Sequence, residues 1–310
     1  MRVGFIGLGT MGASIALNAI RGQHSLVVHD INRASANPHM EMGAKWAATP
    51  KEVAVNSEVV FTSLPGPDEV LSVALGEEGI LPGLSAGSAY FDLSTNSPTV
   101  MRDLHQIFRK KGVELLDAPV SGGPDGAKSG EMAIWVGGNE NAFNTYKPVL
   151  DTMSDAARYI GSVGSGCIAK LVHNLSGYII QTALAETFTM GVKAGLDPER
   201  IWEAVRQGAY GRQRTFDGLK RNFLPEKFDP PSFALALAHK DVTLACQVGR
   251  EFDVPMKLAN VTLAEMTDAV NRGWGKLDSR VSMVLQSERA GVEIRVPEER
   301  LERIIEEDCV

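Results

Sequence analysis

The chain opens with a strand-like run, Arg2–Ile6, that leads directly into Gly7-Leu8-Gly9-Thr10-Met11-Gly12. A helix-like run ending near Ile20 follows this GxGxxG pattern. The first glycine permits a tight turn, the second lets the backbone approach a pyrophosphate, and the third lets helix and strand pack closely. Because the pattern lies between a strand and a helix, it predicts a dinucleotide-binding βαβ unit with the cofactor on residues 7–12.

A second strand-like run, Ser25–His29, ends beside an acidic residue, Asp30. In dinucleotide-binding units a carboxylate about twenty residues past the glycines accepts hydrogen bonds from the adenosine ribose. A carboxylate in this place also repels the 2'-phosphate of NADP, although nearby Arg33 partly offsets the repulsion. Asp30 therefore favours NAD over NADP.

Strand and helix patterns alternate through the first half of the chain. Further strands are predicted at residues 59–64, 89–93, 114–120 and 131–136. The alternation predicts a mostly parallel, doubly wound Rossmann-type α/β sheet in an N-terminal domain of residues 1–162. Ligands of such sheets lie at the carboxyl ends of the strands, so we expect Leu64, Pro65 and Thr95 in cofactor-facing loops.

Capping residues mark the helix boundaries in this half. Thr49-Pro50-Lys51-Glu52 combines an N-cap, a proline at the first helical position and a reciprocal glutamate. Ser97-Pro98 repeats the cap and the proline. We expect this second helix to run to about Lys111 and to stop at Gly112, because glycine tolerates the left-handed C-cap conformation.

Long helical patterns replace the strand-like runs after about Ser162. One of them, at residues 168–193, spans about seven turns at 3.6 residues per turn. Asp197-Pro198-Glu199 marks the start of another helix, and residues 297–308 have the pattern of a charged terminal helix. We therefore expect an all-α C-terminal domain at residues 163–310.

Composition limits the partners of the chain. The net charge of -7 leaves no broad basic surface to neutralise phosphates, and no apolar run is long enough to span a membrane. We therefore expect a soluble protein that binds neither nucleic acid nor membrane. Cys167, Cys246 and Cys309 show no spacing typical of a disulfide framework, which favours the cytoplasm. The six histidines form no ligand-like cluster, so no metal is expected.

Four motifs follow one another along the chain. They are Gly4-Phe5-Ile6-Gly7-Leu8-Gly9-Thr10-Met11-Gly12, Asp117-Ala118-Pro119-Val120-Ser121-Gly122-Gly123, Gly164-Ser165-Gly166 with Lys170 and Asn174, and Lys240-Asp241. In these motifs the chain resembles the β-hydroxyacid dehydrogenases, a family that includes 3-hydroxyisobutyrate dehydrogenase and tartronate semialdehyde reductase. The resemblance covers residues 1 to about 290.

The resemblance implies roles for the second and third motifs. Ser121, Gly122 and Gly123 are expected to bind the substrate carboxylate, a role that suits a hydroxyl beside exposed backbone N–H groups. Lys170 is expected to act as general base in alcohol oxidation, taking the hydroxyl proton while a hydride leaves for NAD, and as acid in the reverse direction. Asn174 stands four residues further along the same predicted helix, so it shares a face with Lys170.

The fourth motif is expected to support this lysine. Lys240 matches a family position near the nicotinamide and substrate, and its charge would favour the neutral, basic form of Lys170. Asp241 is expected to brace helix packing. The local string at residues 170–174 departs from that of many short family members and looks like 6-phosphogluconate dehydrogenase. His173 is accordingly either a substrate contact or a helix-packing residue.

The resemblance implies reversible hydride transfer between NAD and a 3-hydroxy acid. A sugar-acid dehydrogenase and a tartronate semialdehyde-type reductase stay open as alternatives. Imine reductases of this fold replace the lysine, and a noncatalytic NAD-binding protein has no need of Lys170. Tyr210, Phe233 and the arginines Arg212 and Arg214 lie in segments where family members differ by substrate. Arg212 or Arg214 is either a surface arginine, the default interpretation, or a partner of a second anionic group of the substrate. A homodimer or homotetramer is expected.

Overall fold

The computed structural model describes residues 1–208, 211 and 217–307. It divides into two compact units, Met1–Val172 and His173–Val310. The division lies within the helix Ser165–Lys193, whereas the sequence predicted a boundary between residues 162 and 163. The difference arises because the first turns of this helix pack on the first unit, where Cys167 is buried in the hydrophobic core.

The first unit is built on one sheet. Its strands in chain order are β1 Arg2–Ile6, β2 Ser25–His29, β3 Lys45–Trp46, β4 Val59–Thr62, β5 Ala89–Asp92, β6 Glu114–Asp117, β7 Val120–Ser121, β8 Ala133–Gly137 and β9 Ala156–Gly161. The first six are parallel in the order β3-β2-β1-β4-β5-β6. This is the strand order of a dinucleotide-binding doubly wound sheet, and it confirms the predicted Rossmann-type fold.

Helices cover both faces of this sheet. They are α1 Gly12–Arg21, α2 Asn37–Glu41, α3 Pro50–Val55, α4 Pro67–Leu75, α5 Ile80–Gly83, α6 Pro98–Lys110, α7 Gly123–Ser129 and α8 Glu140–Met153. Alternate strand residues point to opposite faces, so Phe5, Phe61 and Phe91 stack in one core cluster while their neighbours Val60 and Tyr90 lie in the other. The sheet is therefore buried on both sides, as parallel sheets are.

The strand predicted at residues 114–120 is two strands. β6 ends at Asp117, and β7 begins at Val120 and pairs antiparallel with β8. Pro119 lies between them and has no N–H to donate to a ladder, which ends the parallel pairing. After this break the chain no longer continues β6, and Ser121 lies in β7 beside β8.

The two predicted N-caps behave differently. The Thr49 hydroxyl accepts a hydrogen bond from the Glu52 N–H at 3.1 Å, and the Glu52 carboxylate accepts one from the Ala48 N–H at 2.7 Å. Ser97 is the N-cap residue of α6, with proline at the helix start as predicted, but its side chain makes no capping hydrogen bond. Its N–H is instead bound by the Asn96 side chain at 2.7 Å. Gly112 ends this helix with a φ of 72°, as predicted.

The second unit is helical, as predicted. Its helices are α9 Ser165–Lys193, which begins in the first unit, α10 Pro198–Gln207, α11 Leu235–Glu251, α12 Lys257–Asn271, α13 Val284–Ala290 and α14 Glu298–Glu307. One core cluster centres on Trp202, Phe223 and Leu224, and another on Leu235, Val242 and Met266. No helix in the described residues has the length and apolarity needed to cross a membrane.

The contrast between the two caps gives a stability prediction. Thr49→Ala removes a capping oxygen and should lower the free energy of unfolding by about 1 kcal/mol. Ser97→Ala removes a hydroxyl that caps nothing and should change it by less than about 0.5 kcal/mol. Urea denaturation of both variants at one pH measures the difference. An equal loss in the two variants would contradict the capping assignment.

Candidate active site

The glycine loop between β1 and α1 contains two glycines that the fold requires and one that it does not. Gly7 has a φ of 92°, and a Cβ there would collide with the carbonyl oxygen of Ser63. A Cβ on Gly12 would collide with the carbonyl oxygen of Gly7, so the fold itself requires both glycines. Gly9 is exposed, and a Cβ there would meet no atom within 4 Å. The space above Gly9 is therefore available to a ligand rather than filled by a neighbouring residue.

Asp30 lies at the carboxyl end of β2 and is hydrogen-bonded to this loop. Its Oδ2 accepts a hydrogen bond from the Leu8 N–H at 2.6 Å, and its Oδ1 accepts one from the Asn32 N–H at 2.7 Å. The side chain of Ile31 beside it is fully exposed. The Arg33 guanidinium lies 5.9 Å from the centre of the Trp46 ring. An open glycine backbone, a fixed carboxylate and an exposed apolar side chain fit the phosphate, ribose and base of a dinucleotide.

The predicted cofactor loops after β4 and β5 are joined to each other. The Leu64 N–H donates to the Ser94 hydroxyl at 2.9 Å. Pro65 is exposed and Thr95 is half-buried. The two loops therefore form one connected rim at the carboxyl ends of neighbouring parallel strands.

A buried carboxylate, Asp92, holds the turn that carries Thr95. Its Oδ1 accepts from the Thr62 hydroxyl at 2.8 Å and from the Ser94 N–H at 3.1 Å, and its Oδ2 accepts from the Asn96 amide at 2.9 Å. Burial raises the pKa of Asp92, and the hydrogen bonds offset only part of this rise. The turn is thus fixed from beneath by a side chain with no exposure to solvent.

The predicted carboxylate-binding segment follows β6 and β7. Ser121 ends β7 and is half-buried, while Gly122 and Gly123 are exposed. Gly123 has a φ of 64°, and a Cβ there would meet no atom within 4 Å. A Cβ on Gly122 would crowd the Met132 side chain at 2.8 Å. The backbone at Gly123 is therefore open to a ligand, whereas Gly122 is needed for packing.

Asp117, four residues before Ser121, fixes the start of α9. Its Oδ1 accepts from the Gly164 N–H at 2.6 Å and its Oδ2 from the Cys167 N–H at 2.8 Å. Burial raises the pKa of Asp117 to about 6, and the two backbone hydrogen bonds act in the opposite direction. A Cβ on Gly166 would collide with the carbonyl oxygen of Trp135. The Gly164-Ser165-Gly166 motif therefore lets the helix start pack directly against the strand ends.

Lys170 lies on α9 a short way beyond this anchored start. It is half-buried and belongs to the same compact unit as Asp117 and Ser121. Asn174 follows one helical turn later, so the two side chains leave the same face of α9.

Asn174 and Lys240 are linked through Asp241. The Asn174 amide donates to Asp241 Oδ2 at 2.7 Å, and the Lys240 ammonium lies 2.9 Å from Asp241 Oδ1. Asp241 is 1% exposed, whereas Asn174 and Lys240 are half-buried. Asn174 and Lys240 therefore meet at one buried carboxylate.

The structure describes two of the other predicted contacts, His173 and Phe233. His173 is exposed, which disfavours the core-packing interpretation of this residue. Phe233 is 38% exposed, and its N–H is held by the buried Asp278 carboxylate at 3.3 Å. Tyr210, Arg212 and Arg214 lie outside the described residues. Within the described residues, no group of three or more His, Cys, Asp or Glu side chains is placed to hold a metal ion.

Two family profiles match the chain. One describes the NAD-binding domain of 6-phosphogluconate dehydrogenase and matches residues 2–161. The other describes the NAD-binding region of NADP-dependent 3-hydroxyisobutyrate dehydrogenase and matches residues 164–285. With the sheet order and the glycine loop, they define an oxidoreductase with NAD(P)-binding domains.

Full-length relatives narrow the class. The chain is 31% identical over 294 residues to 2-(hydroxymethyl)glutarate dehydrogenase of Eubacterium barkeri, covering 95% of this chain and 97% of the relative. It is 35% identical over 284 residues to a probable mitochondrial 3-hydroxyisobutyrate dehydrogenase of Dictyostelium discoideum, covering 90% and 88%. A crystal structure of 3-hydroxyisobutyrate dehydrogenase from Salmonella typhimurium has a TM-score of 0.82 at 28% identity, covering 92% and 99%. The chain belongs to the β-hydroxyacid dehydrogenase family.

Sequence reasoning gave no role to two of the buried carboxylates, Asp92 and Asp117. Each is the last residue of a strand whose other residues are mainly apolar. A charged residue at the end of a buried strand is unusual unless it is paired or hydrogen-bonded. That signal was present in the sequence, but the partners, which include residues up to fifty positions away, were not visible in it.

The glycine loop allows binding and folding to be tested separately. Gly9→Ala should leave the free energy of unfolding within about 0.5 kcal/mol of wild type and weaken NADH binding at least about tenfold, because its Cβ enters only ligand space. Gly12→Ala should lower the free energy of unfolding by about 1–3 kcal/mol through overpacking. Fluorescence titration with NADH and urea denaturation measure the two effects. Wild-type NADH affinity in Gly9→Ala would contradict the assignment of the loop.

Proposed function

We propose that the protein catalyses reversible oxidation of a small 3-hydroxy acid with NAD, with Lys170 as the general acid and base. The observation that carries the proposal is the anchoring of α9 on Asp117. One carboxylate at the end of β6 sets the start of the helix that bears Lys170, and the same strand leads through Pro119 to Ser121. A proton-transferring group and a carboxylate-binding segment thus depend on one rigid strand end.

In this proposal each group of the chain has a definite task. Ser121, Gly122 and Gly123 bind the substrate carboxylate through the Ser121 hydroxyl and backbone N–H groups. Lys170 accepts the proton of the substrate hydroxyl in oxidation and returns it in reduction. Asn174, on the same helix face, hydrogen-bonds the hydroxyl oxygen. NAD would be held by the glycine loop and Asp30 and would accept the hydride from the carbon that bears the hydroxyl.

The substrate class follows from relatives and from the site. The relatives named above act on 3-hydroxyisobutyrate and 2-(hydroxymethyl)glutarate, which are both hydroxy acids. A 3-hydroxyisobutyrate-like acid is therefore the first candidate. A sugar acid is the second candidate, supported by the string at residues 170–174, which looks like that of 6-phosphogluconate dehydrogenase. A tartronate semialdehyde-type reduction is the same chemistry in the reverse direction.

The preference for NAD over NADP is supported by the surroundings of β2. The Asp30 carboxylate is fixed by two backbone N–H groups, and a fixed negative charge there opposes a 2'-phosphate. Arg33, the nearby cation, lies against the Trp46 ring. We therefore propose that kcat/KM with NAD exceeds that with NADP.

We also propose a cytoplasmic homodimer or homotetramer. Cys167 and Cys246 are buried free thiols, which suits a reducing compartment. Exposed apolar side chains on α12, Leu258 and Val261, offer surface for self-association.

The test is NADH formation at alkaline pH across a panel of hydroxy acids. Lys170→Ala should lower kcat on the best acid about 10²–10⁴-fold, the usual contribution of a positioned general base, and should still bind NADH. Lys193→Ala is the matched control, because Lys193 is an exposed lysine on the same helix that donates to the Ala290 carbonyl oxygen. It should keep wild-type kcat. No NAD-linked turnover and no NADH binding by the wild type would reject the proposal.

A further inference from the structure

Asp241 is a buried acid held between two polar side chains of the second unit. It lies on α11 with 1% of its surface exposed. Its Oδ2 accepts from the Asn174 amide at 2.7 Å, and its Oδ1 lies 2.9 Å from the Lys240 ammonium. A buried carboxylate is tolerated when its charge is paired and its oxygens are hydrogen-bonded. Here Oδ2 accepts the hydrogen bond of Asn174, whereas Oδ1 is ion-paired with Lys240 and accepts no hydrogen bond from the described residues.

We propose that Asp241 is the positioning residue that sets the orientation of the Asn174 amide. An ionised carboxylate only accepts hydrogen bonds. The NH₂ group of Asn174 must therefore face Asp241, and its Oδ1 must point away. An asparagine amide without such a partner can take either of two orientations that have nearly the same shape. The buried charge removes one of them.

The charge of Asp241 is balanced locally. Lys240, its neighbour in sequence, provides the positive charge, and its side chain is only 25% exposed. Tyr178, one turn beyond Asn174 on α9, is also buried, and its pKa is raised first by burial and then by the negative charge of Asp241. Tyr178 is therefore a neutral phenol and adds no second negative charge beside the Asp241 carboxylate.

The consequence for catalysis rests on the proposed function. Asp241 touches neither the substrate nor the cofactor in this scheme. It acts through Asn174. Because the NH₂ group of Asn174 faces Asp241, the amide has one fixed orientation toward the hydroxyl of the substrate. Loss of the carboxylate should lower kcat more than it changes KM, since the amide matters most where charge develops on that oxygen.

A double-mutant cycle tests this dependence. Asp241→Asn keeps the size of the side chain but can donate as well as accept, so it no longer fixes the amide. We expect it to lower kcat at least about tenfold in the wild-type background and at least about fivefold less in an Asn174→Ala background. The remaining effect would pass through Lys240. Equal factors in the two backgrounds would overturn the proposal.

Asp278→Asn is the matched control for loss of a buried charge. Asp278 lies in the same unit, has no exposed surface, accepts from the Ser232 N–H at 2.9 Å and pairs with Arg280 at 3.3 Å. Its hydrogen bonds and its ion pair go to residues other than Asn174. Its effect on kcat should be the same factor in both backgrounds, whatever its effect on stability. Non-additivity in this control as well would overturn the assignment to Asp241.

A second measurement does not depend on turnover. In protein with ¹⁵N-labelled asparagine, the side-chain NH₂ signal of Asn174, assigned through Asn174→Ala, should exchange slowly with solvent in the wild type and quickly in Asp241→Asn. Equal exchange in the two proteins would overturn the proposal. If the wild type oxidises no hydroxy acid, the proposed function fails, and this measurement alone decides whether Asp241 holds the amide.

Discussion

The placement of Lys170 and Ser121 depends on the two hydrogen bonds that the Asp117 carboxylate accepts. This carboxylate joins the end of β6 to the start of α9 by accepting the N–H groups of Gly164 and Cys167. Free N–H groups at a helix start need a partner, and here a side chain from a distant strand provides it. Gly166 permits the close approach. The helix that carries Lys170 is thereby fixed to the strand that leads to Ser121.

The buried Asp117 carboxylate lowers the free energy of unfolding at neutral pH. Burial raises the pKa of Asp117 from 3.8 to about 6, so the folded protein binds this proton more tightly than the unfolded chain does. The contribution of Asp117 to the free energy of unfolding therefore falls as the pH rises from about 4 to 6, by about 3 kcal/mol in all, and stays low above that range. Its register partner across the sheet, Asp92, is also buried with a raised pKa. Two adjacent strands thus end in buried carboxylates that lower the free energy of unfolding. Such groups are typical of functional sites, where the placement of the reacting groups matters more than stability.

The sequence predicted the fold because local patterns determine it. The glycine loop, the alternating elements and the caps at Thr49 and Asp197 depend on neighbouring residues. The sequence could not show the contacts that distant residues make. Residues 168–193 were predicted as the helix, but it begins at Ser165 because Asp117 caps it from the sheet. Asp241 was predicted to brace helix packing, and its bond to Asn174 does join two helices, but the sequence could not name this partner because the two residues are far apart in the chain.

Asp117→Asn tests the central claim most directly. Asparagine at this position offers one acceptor for two N–H groups, so the start of α9 should shift while the glycine loop stays intact. Steady-state kinetics with the best hydroxy acid and NADH titration should show kcat reduced at least about tenfold and the Kd for NADH unchanged, since a misplaced catalytic group is a severe defect. A kcat within about twofold of wild type would contradict the account, because Lys170 would then not depend on this anchor.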